Sequence, residues 1–158
     1  MSVEIFEDVT ALAAGRGPLL GLDLGTKTIG VAVSDGLRMT ATGLETLKRS
    51  KFTADAAALE AHIAHRGVVG IVLGLPRNMD GSEGPRAQST RAFARNLAAR
   101  GTGPVAFWDE RLSTVAAERA LLEADSSRKR RAEVIDKLAA AFILQGALDR
   151  LAVFAAQP

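Results

Sequence analysis

"LLGLDLGTKT", residues Leu19 to Thr28, sets one aspartate, Asp23, inside an apolar run that ends at a Gly-Thr-Lys turn. Burying even a neutral polar group without a partner costs roughly 2–7 kcal/mol, and an ionised carboxylate costs more. A nearby lysine, a metal ion or residual water at a strand end must therefore offset Asp23. The run before the turn has the length of a short strand. "TIGVAVSD" (Thr28–Asp35) is β-branched and alternating, and "TATGLETL" (Thr40–Leu47) reads as a third, weaker strand. The short connections between the three predict an antiparallel meander.

Working outward, "FTADAAALEAHIAHRG" predicts a helix with Thr53 as its cap and Gly67 as its stop. "VVGIVLGLP" (Val68–Pro76) is apolar on both faces, as a covered parallel strand is. A helix over roughly Arg86–Arg100 follows the loop "RNMDGSEGP", then a fifth strand, "PVAFWDE" (Pro104–Glu110). Two last helices, about Thr114–Ala124 and Arg130–Phe154, are split by "DSSRKR". The order β-β-β-α-β-α-β-α-α predicts an α/β domain: a five-stranded mixed sheet with helices on both faces. Residues 1–18 read as an N-terminal extension with a short helix, and residues 19–158 as one domain.

Composition narrows the class. The 158 residues carry a formal net charge of +2 and no cysteine, which excludes disulfides and thiolate metal sites. Glu4, Glu7 and Asp8 stand where a signal peptide carries positive charge. Leu138 to Ala156 is apolar but broken by Gln145, Asp149 and Arg150, so no membrane span is expected. A cytoplasmic protein is the expectation.

Three acidic sites, four residues in all, carry chemistry. Asp23 is either a metal-binding carboxylate beside a phosphate-friendly turn, or an aspartate that caps the turn or pairs with Lys27. Asp109 and Glu110, in "WDER", end the fifth strand, where alternation sends one to each face. Pairing with Arg111 is the alternative there. Asp136 heads a helical stripe of Ala139, Ala140, Ile143 and Ala147, so it points toward the sheet. Converging carboxylates without His or Cys suit Mg²⁺ or Mn²⁺, ions that activate water in phosphodiester hydrolysis. The run Arg128, Lys129, Arg130 and Arg131 abuts the Asp136 helix and suits phosphate contact, or else is a solvated face. Arg77, Arg86 and Arg91 flank the Gly-rich loop and extend the basic patch. His62 and His65 lack a third ligand nearby, and Trp108 reads as core.

Four blocks in order, "GLDLGTKTIGVAVSD", "VLGLPRNMDGSEGPRAQSTRAFA", "WDERLSTVAAERALLEA" and "SRKRRAEVIDKLAAAFILQGALD", resemble the YqgF family. These are bacterial Holliday-junction-resolvase-like proteins regarded as nucleases that mature the small-subunit ribosomal RNA precursor. The resemblance runs from about Leu20 to Asp149 and implies a ribonuclease H-like fold with strand order 3-2-1-4-5. It also implies a metal-dependent nuclease whose catalytic and metal-binding residues are Asp23, Glu110 and Asp136, with Asp109 as rival to Glu110. Lys27, Arg77, Arg111 and Arg128 to Arg131 are then expected to hold nucleic acid. Related resolvases end the fourth strand with a carboxylate, whereas this one ends Gly74-Leu75-Pro76. In that order the first and fifth strands lie roughly 9.5 Å apart, a gap that long side chains must close.

The expected partner is ribosomal precursor RNA, with branched DNA as the alternative, and the chain acts as a monomer or homodimer. Rival readings are a nucleotide-dependent kinase of the actin, sugar-kinase and Hsp70 superfamily, which shares Asp-x-Gly-Thr, and a noncatalytic RNA-binding module.

Overall fold

The structure, a computed structural model, describes residues 4–125 and 128–157. Its elements are β1 (Ile5–Phe6), β2 (Leu19–Leu24), β3 (Thr28–Ser34), β4 (Ala41–Lys48), α1 (Phe52–Arg66), β5 (Gly70–Leu75), α2 (Pro85–Ala98), β6 (Val105–Asp109), α3 (Val115–Asp125) and α4 (Arg128–Ala156). One sheet contains all six strands in the order β1-β6-β5-β2-β3-β4. β2, β3 and β4 pair antiparallel, while β5 pairs parallel with both β2 and β6. The five longer strands thus stand in the expected 3-2-1-4-5 order.

The sixth strand corrects the expected count of five. Ile5 and Phe6 pair parallel with Val105 and Ala106 at the sheet edge. Behind them the 3₁₀ turn Val9–Leu12 buries Val9 and Leu12 in the core. A second correction concerns α1. Its N-cap is Lys51, not Thr53, and the carboxylate of Asp55 reaches back to accept the Ser50 N–H at 3.1 Å. Gly67 ends that helix in the left-handed conformation (φ 66°), as expected of a glycine stop.

Strand alternation divides the core in two. Leu20, Leu22 and Leu24 of β2 pack with Leu59, Phe93 and Leu97 on the side of α1 and α2. Leu19, Ala32, Val72, Ala106 and Trp108 pack on the other side against Ala139, Ala140, Ile143 and Ala147 of α4. The small-residue stripe read from sequence is therefore the buried face of α4. By length and composition Val134–Ala156 would suffice to cross a membrane, but here its small face is buried on the sheet.

What lets α4 lie so close is a line of glycines. A Cβ on Gly30 of β3 would come within 1.9 Å of the Asp136 carbonyl oxygen. On Gly21 of β2 it would meet the Leu144 Cβ at 2.7 Å, and on Gly74 of β5 the Ile143 Cδ1 at 2.5 Å. A Cβ on Gly43 of β4 would stand 3.0 Å from the Lys137 carbonyl oxygen. At the far side the relation is reversed, with Gly146 of α4 accepting the Trp108 indole.

The opposite edge is held by charge. Arg91 of α2 donates to Glu83 at 2.6 and 2.7 Å and to Glu7 at 2.7 Å, with its guanidinium 4.9 Å above the Phe107 ring centre. Arg77 adds a contact to Glu83 at 3.3 Å and another to Glu7 at 3.6 Å. The segment before Leu19 is tied into the domain by this cluster.

Packing and charge can each be tested by denaturation. Gly30→Ala should destabilise the fold by about 3 kcal/mol or more, at or above the usual 1–3 kcal/mol for overpacking, because the obstructing atom is backbone. Gly36→Ala, where nothing lies within 4 Å, should be near neutral in the same experiment. The Arg91 hydrogen bonds hold the Glu7 and Glu83 carboxyls below their ordinary value of 4.5. A depressed folded value gives stability that is present above pH 4.5 and lost as pH falls through the lowered value. The Tm difference between wild type and Glu83→Gln should accordingly be full at pH 7 and shrink as pH falls below 4.5.

Candidate active site

Asp23 is the penultimate residue of β2 and shares a face with Gly21, so it projects toward α4. It lies opposite Gly30 in the antiparallel register, which brings the backbone of Asp136 directly over it and its neighbour strand. Asp23 is only 6% exposed. Asp136, half-buried, accepts a hydrogen bond from the Thr28 hydroxyl at 2.5 Å.

The third acid arrives from β6. Trp108 faces α4, and Glu110, two residues on in the turn after β6, keeps that side. Its Oε1 stands 3.1 Å from where a Gly74 Cβ would be. The glycine at the end of β5 therefore leaves the space that the Glu110 carboxylate enters, across the strand separating β6 from β2. This is how the wide gap expected between the two strands is narrowed. Asp109 turns the other way: it caps the turn through the Arg111 N–H at 3.0 Å and holds the Arg111 guanidinium at 2.7 Å.

Electrostatics separate the two neighbours further. The Arg111 hydrogen bonds hold the Asp109 carboxyl below its usual range, so it is satisfied where it stands. Burial pushes Glu110 up, and the charge of Asp23 adds to that rise. Asp23 is itself raised by burial, with Asp136 adding repulsion. Two cations oppose these shifts. Arg119 of α3 donates to Asp23 Oδ2 at 3.0 Å, and the positive charge of Arg86 acts on both Asp23 and Glu110.

Of the acids expected from sequence, the fold brings Asp136 and Glu110 each close enough to Asp23 for their charges to interact. The expected basic residues divide. Lys27 is exposed at the hairpin beside the acids. Arg111 is taken up by Asp109, and Arg77 lies among Glu7, Glu83 and Asp109, on the side away from α4. The side chains of Arg128, Lys129, Arg130 and Arg131 lie outside the described residues. His62 meets Glu45 of β4 and not His65. Sequence reading missed Arg119, whose only signal was a lone arginine in the helix after the acidic block, and the hydroxyl of Thr28.

The donor set is three carboxylates, which as hard oxygen ligands fit Mg²⁺ or Mn²⁺ by their chemistry. Among the described residues no group of three or more His, Cys, Asp or Glu is arranged to hold an ion as it stands, and Arg119 supplies the positive charge against Asp23.

A ribonuclease H-like sheet with acids at its central strand end defines a nuclease class, and comparison with known proteins bears this out. The profile of the RuvX family, described as Holliday junction resolvase, matches residues 17–150, and the chain belongs to that family. A Cereibacter sphaeroides protein named "Putative pre-16S rRNA nuclease" is 71% identical over 148 residues, covering 94% of this chain and 92% of its own. A Roseobacter denitrificans protein of the same name is 66% identical over 160 residues, covering 99% and 98%. The fold is similar to that of T. thermophilus RuvC in complex with Holliday junction substrate, with a TM-score of 0.53, 15% identity, and coverage of 87% of this chain and 97% of that one. The chain is thus a nuclease, a hydrolase, of the RuvX family.

A stability test follows from the raised carboxyls. A folded value above the unfolded one means that ionising Asp23 costs stability as pH rises from its ordinary 3.8 through the raised value. Asp23→Asn should therefore melt at a higher temperature than wild type at pH 8 without divalent ions, and the gap should close near pH 3.

Proposed function

We propose that this nuclease cleaves phosphodiester bonds in the small-subunit ribosomal RNA precursor, at its 5′ end, with Asp23, Glu110 and Asp136 as its catalytic carboxylates. The observation that carries the reading is their convergence from β2, the turn after β6 and α4, with Gly74 and Gly30 bare beneath them. The substrate is supported by the names of relatives at 66–74% identity that span nearly the whole chain. A cytoplasmic site of action accords with that substrate.

The three carboxylates would hold Mg²⁺ or Mn²⁺, which when bound supplies Lewis acidity and a water of lowered pKa. The chain's residues do the rest. The Thr28 hydroxyl fixes the direction of the Asp136 carboxylate. Arg119 neutralises Asp23 in the resting protein and must leave it for the carboxylates to act as ligands. Lys27, Arg86 and the run Arg128 to Arg131 steer the phosphate backbone to the strand end. Arg77 and Arg111, engaged by carboxylates, contribute less than the sequence suggested.

Four-way DNA junctions are the second reading, favoured by the description of the family and by the likeness to RuvC. Symmetric cutting of a junction requires two copies of the chain, whereas one copy suffices on RNA.

The test compares Mg²⁺- or Mn²⁺-dependent cleavage of a precursor RNA carrying its 5′ leader with cleavage of a four-way junction. Asp23→Asn should abolish cleavage of the true substrate while leaving the protein folded and able to bind. Glu110→Gln should cost about a hundredfold or more, exceeding the 10–100-fold typical of outer-sphere partners. Asp109→Asn should cost far less, since that carboxylate faces Arg111. Normal metal-dependent cleavage by Asp23→Asn would sink the assignment, and the reverse severity would transfer the role to Asp109.

A further inference from the structure

At the same end of the sheet, but on the side of α2, a cavity of about 420 Å³ opens between the β2–β3 turn and the start of α2. Gly25, Thr26, Arg49, Arg86 and Ser89 line it, with Leu24 forming an apolar part of the wall. It holds no carboxylate.

Its two arginines differ from the others nearby. Arg77, Arg91 and Arg111 all face carboxylates within 4 Å. Arg49 and Arg86 have no ion-pair partner among the described residues. Each is held by a neutral main-chain oxygen of the turn: Arg49 Nη1 donates to the Gly25 carbonyl at 2.7 Å, and Arg86 Nη2 to the Leu24 carbonyl at 3.4 Å. The Arg49 guanidinium also lies 5.8 Å from the Phe93 ring centre. A guanidinium has five N–H donors. One bond to a carbonyl orients the fork and leaves most of its donors unspent. The hydroxyls of Thr26 and Ser89 add neutral donors on the same wall.

Two oriented guanidiniums without a direct ion pair, with hydroxyls around a cavity, match a phosphate, which Arg forks bind bidentately. The volume exceeds one phosphate, and the Leu24 wall suits the apolar face of a sugar. We infer that this cavity is a second phosphate site, which seats a phosphate of the nucleic-acid strand flanking the bond cut at the three carboxylates. The inference rests on the nuclease reading and extends it: the strand crosses the sheet edge, with the scissile bond on the α4 side and its neighbour on the α2 side. Arg86 links the two, since its charge already reaches Asp23 and Glu110.

The phosphate is an internal diester or a 5′-terminal monoester, and the experiment distinguishes them. One structured RNA, bearing either a 5′-phosphate or a 5′-hydroxyl, is titrated over a salt series with wild type, Arg86→Ala, Ser89→Glu and Asp23→Asn. Ser89 is exposed on α2, so Ser89→Glu places a carboxylate in the cavity while the arginines keep their main-chain partners. Arg86→Ala and Ser89→Glu should each weaken binding about tenfold, the scale of a charged hydrogen bond. Arg86→Ala should also shallow the slope of log affinity against log salt by roughly 0.7–0.9 for each phosphate it no longer neutralises. Asp23→Asn should keep wild-type binding. Equal weakening on both RNAs assigns an internal diester, and weakening confined to the 5′-phosphorylated RNA assigns a terminal one. Unchanged affinity and slope in both cavity variants, with wild type binding and cutting normally, would overturn the site and leave the nuclease reading intact. Failure of the wild type to bind or cut RNA or junction overturns the nuclease reading and the site with it.

Discussion

A helix laid on a sheet is ordinarily held away by the side chains between them. In this molecule α4 meets four neighbouring strands at Gly43, Gly30, Gly21 and Gly74, and along that line the intervening layer is missing. Gly in a strand interior costs stability and often marks close approach by another backbone. Here the approach recovers packing through Ala139, Ala140, Ile143 and Leu144, all fully or almost fully buried. The same contact sets the position of Asp136, whose own carbonyl is the atom that Gly30 admits. Glu110 uses the bare surface of Gly74 in a comparable way. The active-site geometry and the helix–sheet contact are thus one arrangement.

That arrangement concentrates negative charge where water is scarce. The charge of Asp23 acts on Glu110 and that of Asp136 on Asp23, and burial adds to both shifts. A fold selected only for stability would place apolar residues or well-paired charges there, as it does with Asp55 against Ser50. Arg119 relieves part of the repulsion from α3, and Arg86 acts from the opposite side. The strain is confined to the strand end, while Leu19, Leu20 and Leu22 of the same strand are completely sheltered. Titratable groups perturbed by burial and by one another in this way cluster at functional sites.

Much of this was legible in the sequence because it rests on period. Alternation at the end of the fifth strand sent Asp109 and Glu110 to opposite faces, and the i+3, i+4, i+7 stripe placed Asp136 inward. The helical crossovers dictated the parallel strands. What escaped was set by contacts far apart in sequence. A two-residue strand such as Ile5–Phe6 is too short to alternate, and its partner is about a hundred positions on, at Val105 and Ala106. The glycines of β2 to β5 read singly as weak strand residues, because only the sheet order aligns them under one helix. Gly74 reads in sequence as a missing carboxylate, and only the fold shows Glu110 occupying its vacant side. Arg119 reaches Asp23 across 96 positions, a distance no local pattern encodes.

Charge is divided across the same end of the sheet. Asp23, Glu110 and Asp136 stand on the α4 side, while on the α2 side Arg77 and Arg91 are paired with Glu7 and Glu83. Glu7 takes up Arg91 with Glu83 and approaches Arg77, and Asp109 takes up Arg111. Without the segment before Leu19, Arg91 and Arg77 would each be short of one carboxylate neighbour but would keep Glu83. Arg49 and Arg86, beside the turn where β2 ends, have no ion-pair partner among the described residues. The sixth strand therefore does more than extend the sheet: it fixes Glu7 beside α2, where Glu7 joins Glu83 in holding Arg91 and Arg77 to the fold.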